Sequence, residues 1–162
     1  MEMPIGDIVQ ENLKTAEMNI SETITKLAQQ GFTGYMVATV EGYSGMEEGM
    51  LLFRKGEVVG AGFEYMRIGK EFFGDDALPL VLNSFKAVHG IVDIFALTSQ
   101  QLDLVTSFQE KVNLRRKYSI KDVLKMIPKQ YSVEHAKMVV SQFERKEEKK
   151  LTLYHEIGLL KD

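Results

Sequence analysis

The chain has 162 residues, 44% of them hydrophobic and 27% charged, with a formal net charge of −3 at pH 7. That length buries enough apolar surface to fold without staples, and it suits one domain with a helical appendage. The charge balance argues against a protein built to grip phosphate backbone, and the lack of cysteine excludes disulfides, thiolate zinc sites, thiol catalysis and iron–sulfur clusters.

The N-terminal "MEMPIGDIVQENLK" has neither a basic start nor an apolar h-region, so it does not read as a signal peptide. The longest apolar runs, "MLLF" and "ALPLVL", fall far short of a bilayer span. Asn19-Ile20-Ser21 matches the glycosylation sequon, an incidental match without a secretory signal. The expectation is a cytoplasmic protein with no membrane association.

Asn19, followed three residues later by Glu22, predicts a helix N-cap with a reciprocal acidic partner. Ile20, Ile24, Leu27 and Ala28 then fall at helical spacing, and Gly31 supplies the stop. "FTGYMVATVEGY" is rich in Thr, Val and Tyr and predicts a strand over residues 33–41. "GYSGMEEG", residues 42–49, reads as a glycine-rich loop carrying Glu47 and Glu48. Residues 50–54 and 57–64 predict two strands joined at Lys55-Gly56, where glycine takes the left-handed backbone of a tight hairpin.

"MRIGKEFF" is ambiguous. After it, Gly74-Asp75-Asp76 opens a helix with Pro79 in its first turn and Leu78, Val81, Leu82, Phe85 and Val88 on one stripe, ending at Gly90. "IVDIFAL" predicts a fourth strand, and Thr98 caps a helix with Leu102, Val105, Phe108 and Val112 on its apolar face. "LRRKYS" is a short basic linker. Ser119 with Asp122 caps a helix bearing Ile120, Val123, Leu124 and Ile127 and ended by Pro128. Ser132 caps another with Val133, Ala136, Val139, Val140 and Phe143, extended by "ERKEEKK". "LTLYHEIGLL" follows as a short helical apolar tail stopped at Gly158. The order α-β-β-β-α-β-α predicts an α+β fold over residues 1–113, with a roughly four-stranded, mainly antiparallel sheet and packed helices. Residues 114–162 are expected as a helical C-terminal segment.

The segments "GFTGYMVATVEGY", "EEGMLLFRKGEVVGAGFEY", "GDDALPLVLNSF" and "GIVDIFALTSQQLDL" together resemble an archaeal family of uncharacterised proteins, a conserved domain of unknown function. Gly31, Phe32, Gly34, Tyr35, Glu48, Gly49, Phe53 and Gly56 fit its outline of helix, strand, hairpin, helix, strand and helix. The hairpin followed by a helix is more distantly similar to the N-terminal domain of PatA-like bacterial response-regulator proteins. In the tail, "LYHEIGLL" is similar to a short terminal helix such proteins carry, with His155 and Glu156 departing from its pattern. The resemblance covers roughly residues 1–110 and rests on structural glycines and apolar positions. It implies a prokaryotic cytoplasmic protein of signalling or assembly, and no reaction.

No catalytic, cofactor-binding or metal-binding residues are assigned. His89, His135 and His155 show no metal-ligand spacing and read as solvated or capping groups. Asp75 and Asp76 suit a helix start. Glu47 and Glu48 would point to opposite sides of an extended chain, which weakens them as an acid/base pair. Gly60 and Gly62 lack the third glycine of a dinucleotide fingerprint, and Gly69-Lys70 lacks the remaining P-loop residues. Lying two apart on one strand, Gly60 and Gly62 form a bare strip for a ligand or for close packing, and a helix of the same chain is the expected cover.

Three functional readings follow. The first is a non-catalytic binding, regulatory or assembly module that joins a protein partner or a second copy through its sheet edge or its C-terminal helices. Arg115, Arg116, Val139, Phe143 and Tyr154 are then the interaction candidates. The second is a small-ligand binder or enzyme using carboxylates near residues 42–49. The third is nucleic-acid binding by the basic helical segment, disfavoured because the helix that starts "VEHAK" offers few donors for base edges. No cofactor is expected under any of them.

Overall fold

The computed structural model of the protein describes residues 1–159. One antiparallel sheet of six strands organises the chain, in the order β1-β6-β2-β3-β4-β5. Its strands are β1 (Asp7–Lys14), β2 (Gly34–Gly42), β3 (Gly45–Arg54), β4 (Glu57–Tyr65), β5 (Lys70–Phe73) and β6 (Gly90–Ala96). The helices are α1 (Ile20–Gln29), α2 (Leu78–Ser84), α3 (Ser99–Phe108), α4 (Ile120–Met126) and α5 (Glu134–Glu156). The α+β class holds, but the sheet has six strands where four were expected.

The two extra strands are its edges. β1 reads poorly as a strand because two register shifts break its pairing with β6 and Asn12 sits at φ 58°. Nearly all its side chains are exposed, so no apolar alternation marks it. β5 has only four residues, entered through a turn in which Gly69 takes φ 63°. A second correction concerns residues 42–49. They are strand, not loop: Gly42 pairs with Gly45 and only Tyr43 and Ser44 turn between β2 and β3. The glycines expected to loosen a loop instead serve the hairpin and the close packing above it.

Local chemistry sets the ends of the elements. The Asn19 side chain accepts from the Glu22 N–H, and Ile20, Ile24 and Leu27 turn inward from α1. Thr98 and Ser119 each form a reciprocal capping box, with Gln101 and Asp122 respectively. Lys55 and Gly56 both have positive φ, at 49° and 82°, which is the primed turn that matches strand twist. A Cβ on Gly56 would run into the Ala28 carbonyl at the end of α1. α2 stops at Ser84, well before Gly90, and Val88 beyond it is 69% exposed. Phe108 at the end of α3 is 83% exposed, outside the apolar face expected of it.

Both faces of the sheet are covered, unequally. On the first face Met36, Ala38, Val40, Leu51, Phe53 and Phe63 meet α1 and α2, and Val123 of α4 with Ala136 and Val139 of α5 join the same cluster. On the second face Tyr35, Met50 and Leu52 meet Leu97, Leu102 and Val105, with the Val112 turn and Met1 and Met3 packed beside them. The second layer covers only the end of the face where Tyr35 pairs with Phe95 and Leu52.

Among the described residues no helix is long and apolar enough to cross a membrane. The apolar tail is the final turns of α5, which runs unbroken for 23 residues to Glu156, with Gly158 at φ 75° just beyond it. Leu160, the last residue of that predicted tail, lies outside the described residues.

Candidate functional site

β3 alternates Glu47, Gly49, Leu51 and Phe53 on the first face, so the period that buries Leu51 and Phe53 also buries Glu47, at 1% exposure. A buried carboxyl needs donors. Tyr131, between α4 and α5, donates its hydroxyl to Glu47 Oε1 at 2.6 Å. Tyr65 stands directly opposite Glu47 on β4, and its hydroxyl lies 2.7 Å from Nδ1 of His135 in the first turn of α5. The His135 ring stacks on Tyr65 and meets Phe72 edge-on, with centroids 5.9 and 5.1 Å apart. Gly42 makes the room: a Cβ there would overlap the Glu47 carboxylate and approach the Tyr131 hydroxyl at 2.6 Å.

The electrostatics follow from burial. Desolvation pushes the Glu47 carboxyl above its ordinary value, and the Tyr131 hydrogen bond only partly offsets this. Both phenols are pushed up, first by burial and then by their relation to Glu47. Burial pushes the His135 imidazole down, which favours its neutral form. These groups could in principle move a proton. Yet each is engaged with another, Tyr131 with Glu47 and Tyr65 with His135. The arrangement ties Tyr131 and the first turn of α5 to the sheet by part-buried hydrogen bonds. The sequence pointed to Glu47 together with Glu48, which faces the other way, and His135 read as solvated or capping, whereas it is half-buried against Tyr65. The grouping becomes visible only once the register and the path of the chain after α4 are known.

Gly60 and Gly62 lie on the second face. A Cβ on Gly60 would meet the Val112 carbonyl at 3.0 Å and Leu52 at 2.7 Å, and Gly60 bridges to Asn113. A Cβ on Gly62 would meet the Met1 side chain at 2.6 Å. A short 3-10 turn (Glu110–Val112) and the N-terminal methionine therefore sit over the strip.

Beyond that cover the second face is open. Glu48, Glu64 and Glu71 stand side by side across β3, β4 and β5, each directly opposite the next. Their Cβ atoms are then about 5 Å apart, a spacing at which like charges repel. Neither ion pair among the described residues, Lys26–Glu22 and Arg54–Asp103, includes any of them. Farther across, Met46, Thr39 and Ile91 line an open cleft of about 640 Å³ with Val88 and Glu41. Among the described residues no group of three His, Asp or Glu side chains is placed to hold a metal ion.

The remaining candidates divide. Arg115 and Arg116 are exposed, and Arg115 touches Asp75 through its backbone N–H at 3.2 Å. Val139 is buried in the first-face core, and Phe143 lies at the margin of the body beside Ile68 and Lys70. Tyr154 is far out on α5, with Lys150 over its ring at 5.7 Å.

A single antiparallel six-stranded sheet with helices packed on its faces defines an α+β domain. The chain belongs to the family described as "Uncharacterized protein conserved in archaea (DUF2226)", whose model matches residues 1–109. The more distant likeness to PatA-like proteins is not shown by that match. No curated protein and no solved structure matches the chain at a significant level.

Proposed function

We propose that this archaeal protein is a non-catalytic, cytoplasmic assembly module that works through protein–protein contacts, with the outer half of α5 as its contact element. One observation carries the reading. α5 buries Ala136, Val139 and Val140 and then leaves the body, and no described residue from Glu144 onward is buried. That projecting half still holds Leu151, Leu153 and Ile157, all more than half exposed. Exposed apolar residues at the end of a projecting helix suit a contact surface better than a solvated one.

The helix is a better contact than the sheet edges. β1 is kinked by its register shifts and β5 is four residues long, both devices that blunt strand addition. The polar groups around Glu47 favour a structural role over an acid/base one, since Glu47 is buried and the groups bond one another. Deleting residues 144–162 tests the reading. The shortened chain should keep its thermal stability, because none of the described residues it loses is buried, and should lose its association in light scattering or its captured partner. Association that survives the deletion unchanged would count against it.

A further inference from the structure

No described residue of the projecting half of α5 is buried, nor are Glu48, Glu64 and Glu71 on the second sheet face, and the chemistry of the two is complementary. We propose that the outer half of α5 from a second copy of this chain lies across the open second face, its lysines over the glutamate row and its apolar end over Met46 and Ile91. The proposal rests on the contact role given to α5 above and adds the partner and its seat.

The order of residues along the helix matches the order across the sheet. On α5 a single stripe at helical spacing runs Ala136, Val139, Phe143, Lys146, Lys150, Tyr154, Ile157. Its first residues are buried in the body and its last ones lie beyond it. From Phe143 the stripe is basic and then apolar over about 21 Å at the α-helical rise. From β5 toward β6 the open face presents Glu71, Glu64 and Glu48, then Thr39 and Ile91. It is acidic, then passes through a threonine to an apolar end, over about 19 Å at the usual strand spacing. Met46 and Val88, 44% and 69% exposed, widen the apolar end.

The same helix cannot make this contact on its own sheet. Its inner turns are anchored in the first-face core through Ala136 and Val139, and the glutamate row faces the other way. A second copy has no such restriction. Each chain carries both the helix and its seat, so reciprocal docking closes a two-fold dimer. It also supplies cations to three carboxylates that otherwise face one another without any.

Charge exchange tests the idea on the full chain. The wild type should form a dimer in sedimentation equilibrium. E48K/E64K/E71K and K146E/K150E should each dimerise about 100-fold more weakly, since like charges then meet at the seat. An equimolar mixture of the two variants should restore the dimer, because each helix then faces a seat of opposite sign in both directions. Circular dichroism of each variant alone must match the wild type, and the mixture controls for folding as well, since a misfolded variant would not be rescued. A monomeric wild type, or a dimer indifferent to both variants, overturns the proposal. A monomer that still needs residues 144–162 to hold a different protein overturns self-docking and leaves the contact role of α5 standing.

Discussion

Replacing Tyr131 by Phe removes one oxygen and nothing else, and that oxygen is the donor to buried Glu47 at 2.6 Å. A buried carboxyl left without its donor costs about 2 kcal/mol. For a chain of this length that is a fall in Tm of roughly 4–8 °C at neutral pH. The pH dependence has a definite sign. Burial holds the Glu47 carboxyl above its ordinary 4.5, so its contribution is complete below that value and lost as pH rises through the folded pKa. The Tyr131 hydrogen bond lowers that pKa, so Y131F raises it further and lengthens the interval over which stability is lost. The gap between wild type and variant should therefore widen with pH. Below about pH 4.5, where Glu47 is protonated folded or unfolded, only neutral hydrogen bonds are missing, that to Glu47 and the long one from the Tyr43 N–H, and the gap should narrow to about 2–4 °C. Differential scanning fluorimetry from acid to neutral pH reads this directly. A gap that is constant or widest in acid would refute the assignment of Glu47 as the group Tyr131 serves.

Further outcomes follow from other contacts. Burial holds His135 below its ordinary 6.5, so its contribution is present above that pH and lost as pH falls through the folded pKa; H135Q should flatten the decline of Tm below about pH 6.5. An equal slope in wild type and variant would show that the imidazole is not buried neutral. G56A forces a side chain to φ 82° and against the Ala28 carbonyl, and chemical denaturation should show a loss of more than about 1 kcal/mol. R115E/R116E should change stability by less than about 0.5 kcal/mol, because only the Arg115 backbone is bonded. If the wild type instead bound DNA with a steep salt dependence that this variant abolished, the basic segment would be a nucleic-acid site.

What could be read from the sequence was local. Thr98, Ser119 and Asn19 announce their helices because capping is settled within three or four residues, and each side chain accepts the expected N–H, although Glu22 pairs with Lys26 rather than returning to Asn19, and α5 has Val133 rather than the expected Ser132 at its N-cap. Lys55-Gly56 announces its hairpin for the same reason. β1 escaped because its edge position removes the apolar alternation that marks a strand, and β5 because four residues carry no period. The glutamate row was hidden by a single register shift. Counting back from Lys55-Gly56 without it sets Glu48 opposite Phe63, whereas the shift at Leu52–Phe53 sets it opposite Glu64. Glu47 was the nearest thing to a legible site residue, since a carboxylate on the parity of Leu51 and Phe53 must be buried. Tyr131 reaches it from 84 positions away, and His135 reaches the neighbouring Tyr65 from 70, distances no local pattern encodes.

The place of β6 in the sheet has a consequence for how the chain is made. β6 lies between β1 and β2, yet it is the last strand to be synthesised, ending at Ala96. The meander from β2 to β5 can form as it leaves the ribosome, because each strand pairs with its immediate successor. β1, although first out, has no neighbour until the ninetieth residue arrives. Through that interval the outer margin of β2, with Met36, Ala38 and Val40, stays unpaired. Such long-range closure is slow and leaves nascent chains prone to join one another. Arrival of residues 90–96 seals β2 and captures β1 in one step, so the N-terminal strand is the last part of the sheet to be secured.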